Sequence, residues 1–209
     1  MKVLLINGSP HEKGCTYTAL NVVKETLKEE NIDSEIYYVG VESIAPCKAC
    51  YACANLKRCV IDDKVNEFVN YAKDFDGYII GSPVHYAASS GNLIPFLDRA
   101  FFSASRAGSP FAHKPASAIV SARRAGTTAT IDQLNKYFQI QQMPVISGKY
   151  WNMVHGSKPE DVFKDEEGVQ NLQILARNFA YHLKCKEAGL KAGIEPPKTP
   201  EIIRTNFIK

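Results

Sequence analysis

Four of the six cysteines in this sequence lie close together, at Cys47, Cys50, Cys53 and Cys59. Their spacing, C-x2-C-x2-C-x5-C, places four thiol groups in one short loop. Cysteine thiolates bind soft metals, and thiol groups also carry redox chemistry. In a reducing compartment, clustered cysteines of this kind indicate a metal or redox site rather than a structural disulfide.

Composition and length limit what else the protein can be. The chain has 209 residues, of which 45% are hydrophobic, enough for one domain that folds without disulfides. The formal net charge of +3, with no long basic run, predicts no nucleic-acid partner. The apolar start of the sequence ends at Asn7, and no other stretch is long enough to span a bilayer. We therefore expect a cytoplasmic protein with no membrane partner, in which thiols stay reduced.

Apolar runs alternate with segments of helical periodicity along most of the chain. The runs predict strands at residues 3–6, 34–39, 77–84, 115–122 and 143–151. The periodic segments predict helices at residues 16–30, 62–75, 90–102, 128–141 and 165–190. This alternation is typical of a parallel sheet with helices on both faces. We expect one domain over residues 1–192 and an extended tail over 193–209, where prolines exclude a continuing helix.

The loop after the first predicted strand, residues 8–18, has the composition of an anion-binding site. It contains glycines, hydroxyl groups and Lys13 directly before a predicted helix. Free amide N–H groups and the helix dipole favour a negative group at such a position. The loop matches neither the Walker pattern nor G-x-G-x-x-G. The alternative is a polar loop in which Thr16 only caps the helix.

Two further loops follow predicted strands at the same edge of the sheet. After the third strand, Pro83 restricts the backbone, and His85 and Tyr86 offer flat rings. After the fourth strand, Arg123 and Arg124 can offset negative charge on a ring or a phosphate. Ligands of open parallel sheets bind outside the carboxyl ends of the strands, which favours a shared site. The alternative is that the rings pack and the arginines are solvated.

Together these loops resemble those of flavodoxin-like NAD(P)H-dependent FMN reductases, over roughly residues 1–190. The resemblance implies an α/β fold with a doubly wound, five-stranded parallel sheet in the order 2-1-3-4-5. Around the FMN phosphate it implies Ser9, Pro10, Lys13, Gly14, Cys15, Thr16 and Thr18. Along the flavin ring it implies Pro83, Val84, His85, Tyr86, Ser121, Ala122, Arg123 and Arg124.

Within that family, the cysteine loop at residues 47–59 resembles the compact motif of iron–sulfur flavoproteins. The resemblance implies a [4Fe–4S] cluster held by all four cysteines. A cubane cluster needs thiolates that converge from different directions, and the five-residue gap lets Cys59 return from the far side. Zinc and a loop without any cluster remain alternatives, although zinc usually takes two separated C-x2-C pairs.

The resemblance implies an FMN-dependent oxidoreductase. FMN would take a hydride from NADH or NADPH and reduce a quinone, a nitro compound, a flavin or a similar acceptor. No side chain need act as a nucleophile, and His85, Tyr86 and Arg124 are expected near the ring. The alternative is an iron–sulfur flavoprotein that acts as an electron carrier or redox sensor with a protein partner. The absence of a G-x-S-x-G motif argues against a hydrolase.

Apolar residues outside the predicted core indicate self-association. The tail carries Ile202, Ile203, Phe207 and Ile208 beyond its prolines. The predicted helix at residues 90–102 is apolar on more than one face. Exposed apolar patches usually mark partner surfaces, so we expect a homodimer or homotetramer.

Overall fold

The computed structural model describes residues 1–208, and Lys209, the last residue of the predicted tail, lies outside this range. The strands are β1 (Lys2–Asn7), β2 (Asp33–Tyr38), β3 (Gly77–His85), β4 (Ala88–Ser89), β5 (Ala116–Ala122) and β6 (Met153–His155). The helices are α1 (Cys15–Glu29), α2 (Cys53–Leu56), α3 (Lys64–Ala72), α4 (Leu93–Arg106), α5 (Thr127–Ile140) and α6 (Glu166–Lys191), with a 3₁₀ helix at Pro159–Lys164. Residues 194–208 have no regular secondary structure.

All strands except β4 form one parallel sheet. Their spatial order is β2-β1-β3-β5-β6, and the two-residue strand β4 pairs antiparallel with the end of β3. When β4 is set aside, this is the order 2-1-3-4-5, so the predicted topology is confirmed. The strands end at a common edge, which we call the carboxyl edge.

The predicted fifth strand, residues 143–151, is wrong in position. In that segment only Val145 forms a bridge, to Ala116, and the paired strand is β6 at Met153–His155. The side chain of Asn171 explains the difference. Its Oδ1 accepts from the amides of Lys149 and Tyr150, each at 2.8 Å, and its Nδ2 donates to the carbonyl oxygens of 150 and 151. An asparagine therefore satisfies backbone groups that a strand would use in the ladder.

Side chains of the sheet alternate between two apolar layers. In β1, Leu4 and Ile6 face a core shared with α3, α4 and α5, whereas Val3 and Leu5 face a core shared with α1 and α6. This is the period-two pattern of a strand that is buried on both faces. Helices thus cover both faces, and the loops at the carboxyl edge remain accessible. None of the helices within residues 1–208 is long and apolar enough to cross a membrane.

Close contacts in the centre of the sheet position the first loop. The amide of Gly8 donates to the carbonyl of Gly81 at 2.9 Å, which joins the residue after β1 to the middle of β3. A Cβ atom on Gly81 would lie 2.9 Å from Cγ2 of Thr16 and 3.0 Å from the side chain of Leu20. Glycine at this position therefore lets the start of α1 lie directly against β3.

Candidate functional site

A large open cavity lies at the carboxyl edge of the sheet. Its volume is about 1530 Å³, including space open to solvent. Eleven of the residues predicted to bind the cofactor line it, namely Ser9, Pro10, Lys13, Gly14, Cys15, Thr16, Pro83, Val84, Ser121, Ala122 and Arg123. The structure therefore brings the loops after β1, β3 and β5 to one place.

The N-terminus of α1 opens into this cavity with unpaired backbone donors. The first bond of the helix runs from the amide of Thr18 to the carbonyl of Gly14, so the amides of residues 15–17 have no intrahelical acceptor. Within the described chain, no side chain caps α1 and no acidic residue lies in its first turn. Free N–H groups and the positive end of the helix dipole together form an anion site.

The buried side chain of Asn7 shapes the loop that leads to α1. Its Nδ2 donates to the carbonyl of Glu12 at 2.8 Å, and its Oδ1 accepts from the amide of Ser9 at 3.1 Å. The hydroxyl of Ser9 in turn accepts from the amide of His11 at 3.0 Å. The loop is therefore held by internal hydrogen bonds that leave the helix amides free.

A buried hydrogen bond connects the first loop to β5. Oγ of Ser121 and Oγ1 of Thr16 lie 2.9 Å apart, and both side chains are buried. Thr16 therefore lines the cavity wall without extending into it. The neighbouring thiol of Cys15 is half-buried, and burial is the main reason that its pKa is raised.

Four predicted site residues do not line the cavity. The side chain of Thr18 is buried and donates to the carbonyl of Gly14 at 3.3 Å, so it stabilises the start of the helix. His85 and Tyr86 lie at the β3–β4 hairpin, where Tyr86 is fully exposed. Arg124 is exposed and lies beside the lining residue Arg123.

The hairpin between β3 and β4 is closed by a two-residue turn of the kind that hairpins favour, but without the usual glycine or asparagine. Its two central residues, Tyr86 and Ala87, have φ values of 52° and 57°, which bulky residues seldom adopt. The neighbouring Gly126 has φ of 94°, and a Cβ there would lie 2.8 Å from Cα of Ala87. Such strained turns persist where surrounding contacts hold them, and they are frequent at binding sites.

The four cysteines of the loop line a second, smaller cavity. Its volume is about 350 Å³ including open space, and it lies against α4. Cys47 and Cys50 are exposed, Cys53 is buried at the start of α2, and Cys59 is half-buried. Burial is the main reason that the pKa of Cys53 is raised. Within residues 1–208, no three His, Cys, Asp or Glu side chains are grouped so as to hold a single metal ion.

Left-handed backbone turns bring these cysteines to one cavity. Ala49, Tyr51 and Lys57 have φ values of 49°, 57° and 58°. Residues 49 and 51 flank Cys50, so left-handed backbone lies on both sides of that thiol. Such conformations are costly for residues with a Cβ atom, and they are concentrated in this loop.

Comparison with known sequences identifies the family. The sequence model of NADPH-dependent FMN reductases matches residues 1–158, which include every loop of the large cavity up to Lys158. The chain belongs to this family. The predicted family is therefore confirmed.

Similar proteins agree with this assignment. An iron–sulfur flavoprotein of Methanocaldococcus jannaschii is 29% identical over 191 residues, which cover 88% of this chain and 98% of the relative. An iron–sulfur flavoprotein of Methanosarcina thermophila is 28% identical over 187 residues, which cover 86% and 93%. The structure of a WrbA-like flavodoxin from Agrobacterium tumefaciens superposes on this one with a TM-score of 0.61 at 10% identity. The match covers 88% of this chain and 98% of that protein. The last comparison concerns the fold alone and confirms that it is flavodoxin-like.

In this member of the FMN reductase family, the large cavity is also lined by eight residues that are absent from the predicted binding set, of which the first two belong to the predicted first loop. They are His11, Glu12, Tyr38, Val41, Gly156, Ser157, Lys158 and Pro159. The hydroxyl of Tyr38 donates to the carbonyl of Pro10 at 2.9 Å, which supports the first loop from β2. The sequence does not predict the segment 156–159 as part of the site. This loop begins where β6 ends, at His155, whereas the predicted fifth strand ends at residue 151. A correct strand end would have been the signal for it.

The lining of the large cavity is predominantly basic. Lys13, Arg123 and Lys158 contribute positive charge from three different loops, and Glu12 is the acidic residue among the lining side chains. A cavity with this excess of positive charge attracts an anionic ligand.

Proposed function

We propose that this chain binds FMN in the large cavity and oxidises NADPH or NADH to reduce a small-molecule acceptor such as a quinone, a nitro compound or a flavin. One observation carries the proposal: the uncapped N-terminus of α1 opens into a basic cavity at the carboxyl edge. Phosphate is the kind of group that such a helix terminus binds. Membership of the FMN reductase family supports the same conclusion.

Each group of lining residues has a role in this proposal. The amides of residues 15–17 and the ammonium group of Lys13 hold the phosphate. Pro83, Val84 and Ala122 provide a largely apolar wall for the ring, and Arg123 offsets negative charge beside it. The bound FMN supplies hydride chemistry, and the protein supplies position and electrostatics. Tyr86 and His85, on the hairpin next to the cavity, are proposed to contact the incoming nicotinamide or acceptor.

The first prediction is that the purified protein carries FMN rather than an adenylated flavin. The uncapped N-terminus of α1 offers a site for one phosphate group, and the loop before it lacks a dinucleotide-binding fingerprint, so we expect FMN rather than FAD. Heat release followed by chromatography identifies the flavin. Oxidation of NADPH and NADH is then followed with a quinone as acceptor. FAD in the heat extract, or the absence of oxidation with both nucleotides, would contradict the proposal.

We propose further that the four-cysteine cavity holds a [4Fe–4S] cluster, which would relay single electrons when bound. The support is that all four cysteines line one cavity and that relatives covering most of the chain are named iron–sulfur flavoproteins. Four thiolates are the usual ligands of such a cluster. In that case the protein also acts in electron transfer with a redox partner.

The second prediction concerns assembly, which we propose to be a homodimer or homotetramer held in part by the tail. Ile202, Ile203, Phe207 and Ile208 are between 73% and 91% exposed. The tail contacts Gln142 through Thr199, at the edge opposite the large cavity. We therefore expect that deletion of residues 196–209 lowers the mass in solution and leaves the flavin content unchanged.

Sedimentation of the full and shortened chains measures this effect. A second variant replaces Ile203 and Phe207 by serine and keeps the chain length unchanged. Because it removes apolar groups of the tail, we expect it to lower the mass in solution as the deletion does. A full-length chain that sediments as a monomer with FMN bound would rule out the assembly. An oligomer that survives the deletion would show that the interface lies elsewhere.

A further inference from the structure

Arg99 is a charged residue that is almost completely buried, with 1% of its surface exposed. It lies on α4, in the wall of the cysteine cavity. Charged side chains are seldom buried to this extent unless every donor is paired. The partners of its five N–H groups therefore show what this residue does.

Four of these donors bind oxygen atoms of the chain around the cavity. The two terminal nitrogens donate to the carboxylate of Asp63 at 2.6 and 2.7 Å, in a bidentate ion pair. They also donate to the carbonyl oxygens of Ile61 at 3.0 Å and of Ala45 at 3.4 Å. Asp63 additionally accepts from the amide of Val65 and so caps α3. These bonds attach both ends of the cysteine loop to α4.

The fifth donor binds sulfur. Nε of Arg99 donates to Sγ of Cys59 at 3.3 Å. The backbone of Cys59 is held separately by Asn66, which accepts from its amide and donates to its carbonyl, each at 3.0 Å. Asn66 thus fixes the main chain of Cys59, and Arg99 fixes its side chain. Since all five donors are used, none of the other three cysteines receives a hydrogen bond from Arg99.

We propose that Arg99 is a positioning residue of the cysteine site, which holds the sulfur of Cys59 in the cavity and stabilises negative charge on it. Cys59 is the ligand that must return across a five-residue gap, so it needs the most external support. The inference rests on the proposed cluster. Hydrogen bonds to ligand sulfurs raise the reduction potential of a cluster, because they favour its more negative, reduced state.

The test compares a double variant that leaves no orphaned charge with a single variant that keeps Arg99 but removes the charge of its carboxylate partner. The double variant Arg99→Met with Asp63→Asn removes the bond to sulfur and neutralises the ion pair together. Asp63→Asn alone is the matched control, since asparagine can still cap α3 and the Nε–H bond to Cys59 remains. Circular dichroism and FMN content establish that both variants fold.

The first measurement is alkylation of each cysteine, followed by mass spectrometry in protein freed of iron by a chelator. It is made at a pH high enough to ionise the thiols, so that the rate reports access to the sulfur. We expect Cys59 to react about tenfold faster in the double variant than in the control, as loss of one hydrogen bond to a charged group predicts. Cys47 is exposed and serves as the unchanged internal reference. Equal rates for Cys59 would overturn the positioning role.

The second measurement is the reduction potential of the iron-loaded protein. We expect a more negative potential in the double variant than in Asp63→Asn, and equal potentials would overturn the effect on sulfur charge. Wild-type protein that lacks iron and sulfide after anaerobic purification would refute the proposed cluster and the potential shift with it. In that case the alkylation rates still decide whether Arg99 holds Cys59.

Discussion

Replacement of Gly14 by aspartate is expected to weaken flavin binding about a hundredfold or more while the protein stays folded. Gly14 is the N-cap of α1, with φ of −85° and ψ of −166°, an extended conformation that any residue adopts. Aspartate is a preferred N-cap residue, and its carboxylate would accept from the free amides of the first turn. The side chain would then occupy the donors that we assign to the FMN phosphate.

The size of this effect follows from the charges involved. A carboxylate about 5 Å from a phosphate repels it by roughly 3 kcal/mol per unit charge at an effective dielectric constant near 20. We therefore expect the dissociation constant for FMN to rise about a hundredfold or more. The unfolding free energy should change by only about a few tenths of a kcal/mol, because the better capping by aspartate is offset by the approach of its Cβ to within 3.1 Å of Cβ of His11.

Gly14→Asn is the matched control for this experiment. Asparagine has nearly the same shape and also caps helices, but it carries no charge. An added Cβ lies 3.1 Å from Cβ of His11 in both variants, so any steric effect is shared. Titration of the flavin-free proteins with FMN gives the affinities, and urea unfolding gives the stabilities. Similar affinities for the two variants would show that the phosphate does not bind at α1.

The sequence predicts the fold and three walls of the large cavity for a local reason. Apolar runs that end at Asn7, Val84 and Ala122 are followed by small and polar residues, so the strand ends and their loops can be read from the chain itself. Because parallel strands end at one edge, the meeting of those loops follows from the alternation of elements alone.

The fourth wall of the cavity could not be read in this way. Val145 and Ile146 have the residue types of a buried strand, but Asn171 binds the backbone that follows them. Asn171 lies on α6, and the residue pattern around positions 149–151 does not predict its contact with that segment. The residue pattern therefore predicts the strand too early in the chain and does not predict the loop at residues 156–159.

Contacts distant in sequence explain the remaining differences. Arg99 has the position of an ordinary helix charge in the sequence, and its burial depends on the cysteine loop folding over α4 from residues 40 positions away. The bond between Thr16 and Ser121 spans 105 positions. Such pairs form only after the layers assemble, so no window of sequence contains the information that predicts them.

Replacement of Cys50 by alanine is expected to remove all iron from the protein and to leave FMN bound. Cys50 is exposed, so its loss creates no buried cavity and costs little stability. We expect that a cluster with only three of its four thiolate ligands is not retained in this small, open cavity. The FMN cavity is lined by other segments of the chain, so the flavin content should not change.

Cys185→Ala is the matched control, because Cys185 is also exposed but lies on α6, outside the loop. Iron, zinc and acid-labile sulfide are measured together in anaerobically purified wild type, Cys50→Ala and Cys185→Ala, with FMN read from the heat extract. We expect iron and sulfide in the wild type and in Cys185→Ala, and neither in Cys50→Ala. Zinc without sulfide in the wild type would show that the four cysteines bind zinc and not an iron–sulfur cluster. A wild type free of both metals would leave the four thiols as a structural loop beside an FMN reductase site.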